Sequence, residues 1–425
     1  MKTILATTYA LNPTKGSEDG MGWNYVSQIA RHNKVIAVTR KNNREGIEKY
    51  MEENPLEYYE NISFLYFDLP AYLRFWKKGS RGAMLYFYLW QMCMPIFIKM
   101  QSIEFDITHN LNFHNDWTPS FLWILGKPMI WGPVGHHPKI PRQFLLPVYG
   151  WKAYLKDRAT WILKKMFWNI DPFVKLTKSK ASFIWCMNSS VKNVLEIKKE
   201  KMWVIPSVAS EDINYTPGAG KGFNVLSVGR FVPLKGFDVT IRSFAKFYDQ
   251  LDDAGKKESR LTLVGKGPEK DRLVGICNEL GISHAVTFID WIERSKLDEI
   301  YRDASIFLFP SHEGAGMVVP EAMSYGLPVL CFDNVGPGEF VNEHSGVKTP
   351  YLAYNKSVEM FADCLKRLHS DRFWLYRLSV GARDRYVRVF EWNTRGELLK
   401  QIYQEIPDQQ MECQLVPNMK FQHIA

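Results

Sequence analysis

Glu313 and Glu321 enclose a seven-residue run, Gly314-Ala315-Gly316-Met317-Val318-Val319-Pro320, directly after the apolar stretch 306–309. Gly314 and Gly316 let the backbone come close to a ligand, and Pro320 at a helix start leaves amides facing outward at the positive end of the dipole. That combination is an anion cradle whose carboxylates suit sugar hydroxyls. A second cluster, Gly229-Arg230-Phe231-Val232-Pro233-Leu234-Lys235-Gly236, also follows a predicted strand. Arg230 supplies planar, two-pronged donors and Lys235 a point charge, a pairing suited to phosphate. A third turn, Gly265-Lys266-Gly267-Pro268, follows the run 261–264. Taken singly, each has a plainer reading: solvated loop cations for Arg230 and Lys235, a first-turn helix carboxylate for Glu321, and a tight turn at Gly265.

Strands must hold these loops in place. Short β-branched runs alternate with helix-period segments throughout, which is the pattern of βαβ units in parallel sheets covered by helices. Strands are predicted at 3–6, 35–38, 62–67, 106–108, 129–131, 183–185 and 203–205, and again at 225–228, 261–264, 286–289, 306–309 and 329–332. The fold class is α/β with two Rossmann-like, doubly wound domains: residues 1–205, a Pro- and Gly-bearing linker at 206–223, and residues 224–388. A helix at 389–406 is expected to pack back on the first domain, and 407–425 reads as a loose tail. Ligands of open α/β sheets bind outside the carboxyl ends of the strands. Two such domains facing each other would gather their loops around a central cleft.

Composition narrows the function classes. At 425 residues, the chain calls for two or three domains at roughly 150 residues each. A content of 46% hydrophobic and 23% charged residues excludes a disordered chain. The balance of 54 Lys plus Arg against 45 Asp plus Glu leaves +9, which favours anionic partners. No RNP, KH or zinc pattern points to nucleic acid, and the GxGxxG fingerprint of dinucleotide binding is absent. Six scattered cysteines without CxxC or zinc spacing suit a reducing cytoplasm. The N-terminus has no secretory pattern. The most apolar run, 84–98, is broken by Gln91 and Pro95 and falls short of the roughly 20 residues of a membrane span.

In this order, the Gly229-Arg230 to Lys235-Gly236 loop, the Val264-Gly265-Lys266-Gly267-Pro268 turn and the Glu313/Glu321 pair resemble the C-terminal half of the retaining glycosyltransferases of family 4, which have the GT-B fold. The resemblance implies that Arg230 and Lys235 hold a donor diphosphate and that the amides of Gly314, Ala315, Gly316, Met317 and Val318 cap its distal phosphate. It places Glu313 at the donor sugar, Glu321 at the ribose and the backbone of Ile289 at the nucleobase. In the first half, Gly20 and Gly22 of Thr14-Lys15-Gly16-Ser17-Glu18-Asp19-Gly20-Met21-Gly22 resemble the glycine-rich loop that these enzymes set against donor phosphates and acceptor. Family members often carry a functional histidine after the fourth strand. His109 is the first choice for it, ahead of His114, His136 and His137. The string Trp131-Gly132-Pro133-Val134-Gly135 resembles the subset that builds bacterial surface polysaccharides. The chain departs from the family at Ser207-Val208-Ala209-Ser210, where an Asn-Gly-Val turn is usual, and at His136-His137, where glycines are usual.

The resemblance implies retaining transfer from a UDP- or GDP-sugar co-substrate to a saccharide or polyprenyl-linked acceptor, with no other cofactor. No Asp-x-Asp pair is present, so Arg230, Lys235 and the loop amides are expected to replace a metal ion. Between Asp68 and Glu104 no acidic residue occurs, while Arg74, Lys77, Lys78, Arg81 and Lys99 interleave with Tyr72, Phe75, Trp76, Tyr86, Phe87, Tyr88 and Trp90. Residues 151–168 repeat the theme. Both stretches read as a docking face for the anionic inner surface of the cell membrane, or else as core helices with solvated basic sides. The alternatives to a transferase are a GT-B phosphorylase, a nucleotide-sugar epimerase, or a silent GT-B subunit that binds a partner enzyme.

Overall fold

The computed structural model describes residues 1–406 apart from 17, 78, 80, 81, 112–114, 216–221 and 291. His114, Lys78, Arg81, the centre of the expected linker and the expected tail therefore lie outside the described residues. The chain forms two units. One comprises Met1–His136, Leu163–Ser207 and the chain from Trp392, and the other comprises His137–Ile162 and Val208–Glu391.

Among the described residues, the first unit holds seven strands: β1 (Thr3–Thr7), β2 (Lys34–Thr39), β3 (Ile62–Tyr66), β4 (Ile107–Asn110), β5 (Met129–Val134), β6 (Phe183–Cys186) and β7 (Met202–Val204). They form one sheet in the order β3-β2-β1-β4-β5-β6-β7. Every pairing is parallel. Parallel strands covered by helices on both faces are buried throughout, and in β4 and β5 every residue is buried rather than every second one. The helix Trp392–Glu405 packs on the helix Glu18–Ala30 within this unit, with Trp392 edge-on to Tyr25 at 5.1 Å between ring centroids. Asp171 caps the helix Pro172–Lys180 by accepting from the amides of Phe173 (2.7 Å) and Val174 (3.3 Å).

The second unit repeats the plan with β8 (Phe223–Val228), β9 (Ser259–Val264), β10 (Val286–Ile289), β11 (Ile306–Phe309), β12 (Val329–Phe332) and β13 (Gly346–Thr349), in the order β10-β9-β8-β11-β12-β13. All twelve predicted strands are present. β13 is the addition, an edge strand of Gly-Val-Lys-Thr with too little apolar content to stand out. In both sheets the winding reverses beside the first strand, between β1 and β4 and between β8 and β11. These are the topological switch points at which α/β sheets bind ligands.

The division expected at residue 205 misses one segment. Residues 137–162 belong to the second unit, because Ile140, Phe144 and Leu145 sit in one core with Phe231, Phe237 and Phe332. Tyr149 donates its hydroxyl to Asp238 Oδ1 (3.2 Å) and accepts from Arg272 Nη2 (2.7 Å), which fixes the segment further. The helical run Arg142–Ile170 is broken at Gly150, where φ is 77°. Among the described residues, no helix is long and apolar enough to cross a membrane.

Candidate functional site

The loops after β8, β9 and β10 are stitched edge to edge. Gly229 N donates to Val264 O (2.9 Å), Gly265 N to Ile289 O (2.8 Å), Phe231 N to Lys266 O (3.0 Å) and Glu269 N back to Phe231 O (3.1 Å). Gly229, Gly265 and Ile289 thus stand side by side at the carboxyl ends of three adjacent strands. Gly265 has φ 149°, and a Cβ there would strike the Gly229 carbonyl. The glycine is a requirement of close backbone approach.

Across the switch point the loops after β8 and β11 are also joined. His312 N and Ser311 Oγ both donate to Leu234 O, at 2.8 and 3.2 Å. Gly236 ends the turn Pro233–Lys235 with φ 69°, and a Cβ there would collide with the Pro310 carbonyl, so at this point the β8 and β11 loops meet backbone to backbone. This contact brings Lys235 to Glu313. Lys235 Nζ lies 2.7 Å from Glu313 Oε1 and 2.8 Å from Oε2, with the side chains 12% and 13% exposed. Burial pushes the Glu313 carboxyl upward, against the opposing pull of Lys235 and of Arg230. Arg230 itself is exposed.

The loop from Gly314 to Met317 leads into the helix Val318–Ser324, whose first turn carries Glu321. Gly314 N donates to His137 Nδ1 at 3.2 Å, which assigns the proton of that ring to Nε2. Glu321 accepts from Arg294 Nη1 and, at 3.2 Å, from the Tyr301 hydroxyl. His137, one of the lesser histidine candidates, reaches the cluster from the segment after β5, and Arg294, which carries no signal in the sequence, reaches it from the first turn of the helix Arg294–Asp303. His312 is packed between Phe144, Phe332 and Tyr351, and burial lowers its pKa to about 3.

The first unit corrects two expectations. Gly20 and Gly22 are not loop residues but lie in the opening turns of the helix Glu18–Ala30, where a Cβ on Gly20 would crowd the Lys15 carbonyl oxygen at 2.7 Å. His109 is wholly buried in β4. Its Nε2 lies 2.8 Å from Gly132 O, an acceptor only, so Nε2 carries the proton and Nδ1 accepts from the Tyr403 hydroxyl at 2.6 Å. Desolvation lowers its pKa to about 3, and both nitrogens are spent inside the fold. His109 is placed as a structural histidine. Nearby, His136 pairs through Nδ1 with Asp116 Oδ2 at 2.7 Å, both buried, just beyond the carboxyl end of β5.

The second unit has recognisable kin. Residues 211–385 match the family model described as Glycosyl transferases group 1. Over 186 residues the chain is 33% identical to the D-inositol 3-phosphate glycosyltransferase of Nocardia farcinica, covering 42% of this chain and 40% of that protein. Over 182 residues it is 28% identical to an uncharacterized glycosyltransferase of Methanocaldococcus jannaschii, covering 42% and 44%. The alignments thus span less than half the length of these relatives. Among solved structures, Anabaena HepE in complex with UDP superposes with a TM-score of 0.62 at 15% identity, over 95% of this chain and 100% of that one. WaaG, a glycosyltransferase involved in lipopolysaccharide biosynthesis, gives a TM-score of 0.60 at 15% identity, over 94% and 99%. The fold is therefore that of GT-B glycosyltransferases, two parallel-sheet Rossmann-like domains in one chain.

Proposed function

We propose that the chain is a nucleotide-sugar-dependent glycosyltransferase of the retaining kind, working without a metal ion. The observation that carries this reading is the Lys235–Glu313 pair at the switch point of the second sheet, where backbone contact between the β8 and β11 loops sets a cation and a carboxylate together. A lysine ammonium has three donors, and Glu313 takes two of them. The third, together with the exposed Arg230, would serve the donor diphosphate, and the amides of residues 315–318 its distal phosphate, the Gly314 amide being engaged by His137. Glu313 would accept from hydroxyls of the donor sugar, Glu321 from the ribose, and the Ile289 backbone would meet the base.

Breaking the bond between anomeric carbon and diphosphate oxygen places negative charge on the leaving group and positive charge on the sugar ring. Fixed cations aimed at the first of these lower the barrier, and each such donor is worth about 10²- to 10³-fold in turnover. In front-face attack the acceptor oxygen forms the new bond on the side the diphosphate leaves, and its proton passes to the departing phosphate oxygen. Configuration is then retained without a covalent enzyme intermediate.

The acceptor in this reading is a saccharide or polyprenyl-linked saccharide in surface-polysaccharide assembly, elongated at the inner face of the cell membrane. Supporting the membrane, Tyr72 and Phe75 are 73% and 78% exposed beside Arg74, and Trp151 is 61% exposed beside Lys152. The support is narrower than the run of aromatics suggests, because Tyr86, Phe87 and Trp90 are core residues.

A thermal-shift screen against UDP-, GDP- and ADP-sugars tests the donor site, repeated with Arg230→Ala. Stabilisation by one nucleotide class, lost in the variant, is expected. Stabilisation that is undiminished in the variant would move the diphosphate elsewhere. Transfer to acceptor in the presence of EDTA tests metal independence, and flotation with anionic vesicles tests docking.

A further inference from the structure

Glu321 is held from two sides. Its Oε1 accepts from Arg294 Nη1 and its Oε2 from the Tyr301 hydroxyl at 3.2 Å. The same guanidinium reaches Asp298 Oδ1 through Nε at 3.0 Å, and that oxygen also accepts from the Tyr325 hydroxyl at 2.6 Å. Tyr301 and Tyr325 stack at 4.9 Å with their rings 9° apart, and Tyr301 is fully buried. Arg294 therefore bridges two carboxylates on different elements, Asp298 on its own helix Arg294–Asp303 and Glu321 on Val318–Ser324. The Glu321 side chain is 17% exposed, whereas Arg294 is 59% exposed.

An ionised carboxylate offers about four lone-pair sites, two on each oxygen. Arg294 and Tyr301 occupy one on each, which leaves one on each oxygen. That remainder matches a vicinal diol, in which two adjacent hydroxyls each donate to one oxygen. Without the guanidinium, Glu321 would keep a single tyrosine donor and would be free to rotate toward water.

We propose that Arg294 is a positioning residue that orients the Glu321 carboxylate for the 2′- and 3′-hydroxyls of the donor's ribose. The inference rests on the donor-site reading. Because the ribose is remote from the bond that breaks, losing the clamp removes binding common to ground and transition states, so KM rises while kcat holds.

The test measures binding of UDP and GDP, each beside its 2′,3′-dideoxy counterpart, to the full chain and to Arg294→Ala, Arg294→Lys and Glu321→Gln, with donor KM and kcat alongside. The wild type is expected to prefer the ribonucleotide by about tenfold or more, the worth of one to two charge-assisted hydrogen bonds. Arg294→Ala should lose most of that preference and raise donor KM by a similar factor, with kcat within about twofold. Arg294→Lys, which keeps the charge, should recover part of the preference. A merely structural role would weaken both nucleotides alike. Full ribose preference in Arg294→Ala, alongside its loss in Glu321→Gln, would overturn the inference and leave the donor site standing. A wild type that binds neither nucleotide would overturn both.

Discussion

In the proposed donor site Lys235 and Arg230 share one task but stand in different surroundings, and their alanine variants should part accordingly. Lys235→Ala strands a buried Glu313 carboxylate. Removing one partner of such a pair costs about 3–5 kcal/mol, so stability and turnover are expected to fall together. Arg230 is exposed, and Arg230→Ala should lose about 10²- to 10³-fold in turnover at an unchanged melting temperature. Full turnover in Arg230→Ala, measured at saturating donor, would remove it from the reaction. At His109 the decisive partner is Tyr403. Tyr403→Phe leaves Nδ1 without its donor at a cost of about 1–3 kcal/mol, which calorimetry should register as a melting point several degrees lower with nucleotide binding intact. Residue types and spacing, read with the family resemblance, nominated Arg230, Lys235, Glu313 and Glu321, and the structure brings Lys235 to Glu313. Types and spacing could not tell a strand-end histidine whose ring faces the core from one whose ring faces a ligand. Nor could they rank His137 above His109 or find Arg294, whose part depends on where the start of one helix meets the first turn of another.

Among the elements, strands declared themselves through short apolar runs bounded by turns, and the one that did not, β13, has a single β-branched apolar residue. The segment 137–162 was assigned to the wrong side because chain continuity was the available guide, while Phe144 and Tyr149 answer to a core built much later in the chain. The loops after β8 and β9 depend on backbone contact. Gly236→Ala and Gly265→Ala should therefore each displace a neighbouring carbonyl and impose a left-handed or extended positive φ on a residue with a Cβ. We expect poor yield or a clear loss of stability from both by urea titration, and a normal unfolding midpoint in either would contradict the contact described. On the helical run Arg142–Ile170, Leu155, Ile162 and Met166 are exposed. Ile162→Glu with Met166→Glu should leave unfolding unchanged and reduce flotation with anionic vesicles, an effect that rising salt should mimic.

For the molecule as a whole, each unit buries a neutral histidine, His109 in the first and His312 in the second, both near a pKa of about 3. Below pH 6.5 the unfolded chain takes up protons that the folded one refuses, so stability must fall as pH drops from 6.5 toward 3. The slope is about 1.4 kcal/mol per pH unit for each ring. Urea midpoints that stay level from pH 7 to pH 4.5 would deny that either ring is kept neutral by burial. The path of the chain carries a consequence of another sort. It passes from unit to unit after residues 136, 162, 207 and 391, so neither half is a continuous stretch of gene. A cassette cut at 205/206, the boundary suggested by composition, would strip Ile140, Phe144 and Leu145 from the half that needs them and leave apolar rings bare to solvent. Recombination can exchange the second unit between chains of this fold only if residues 137–162 travel with 208–391 while the final helix stays behind. A chimera assembled that way should remain soluble where the simple front-to-back fusion precipitates.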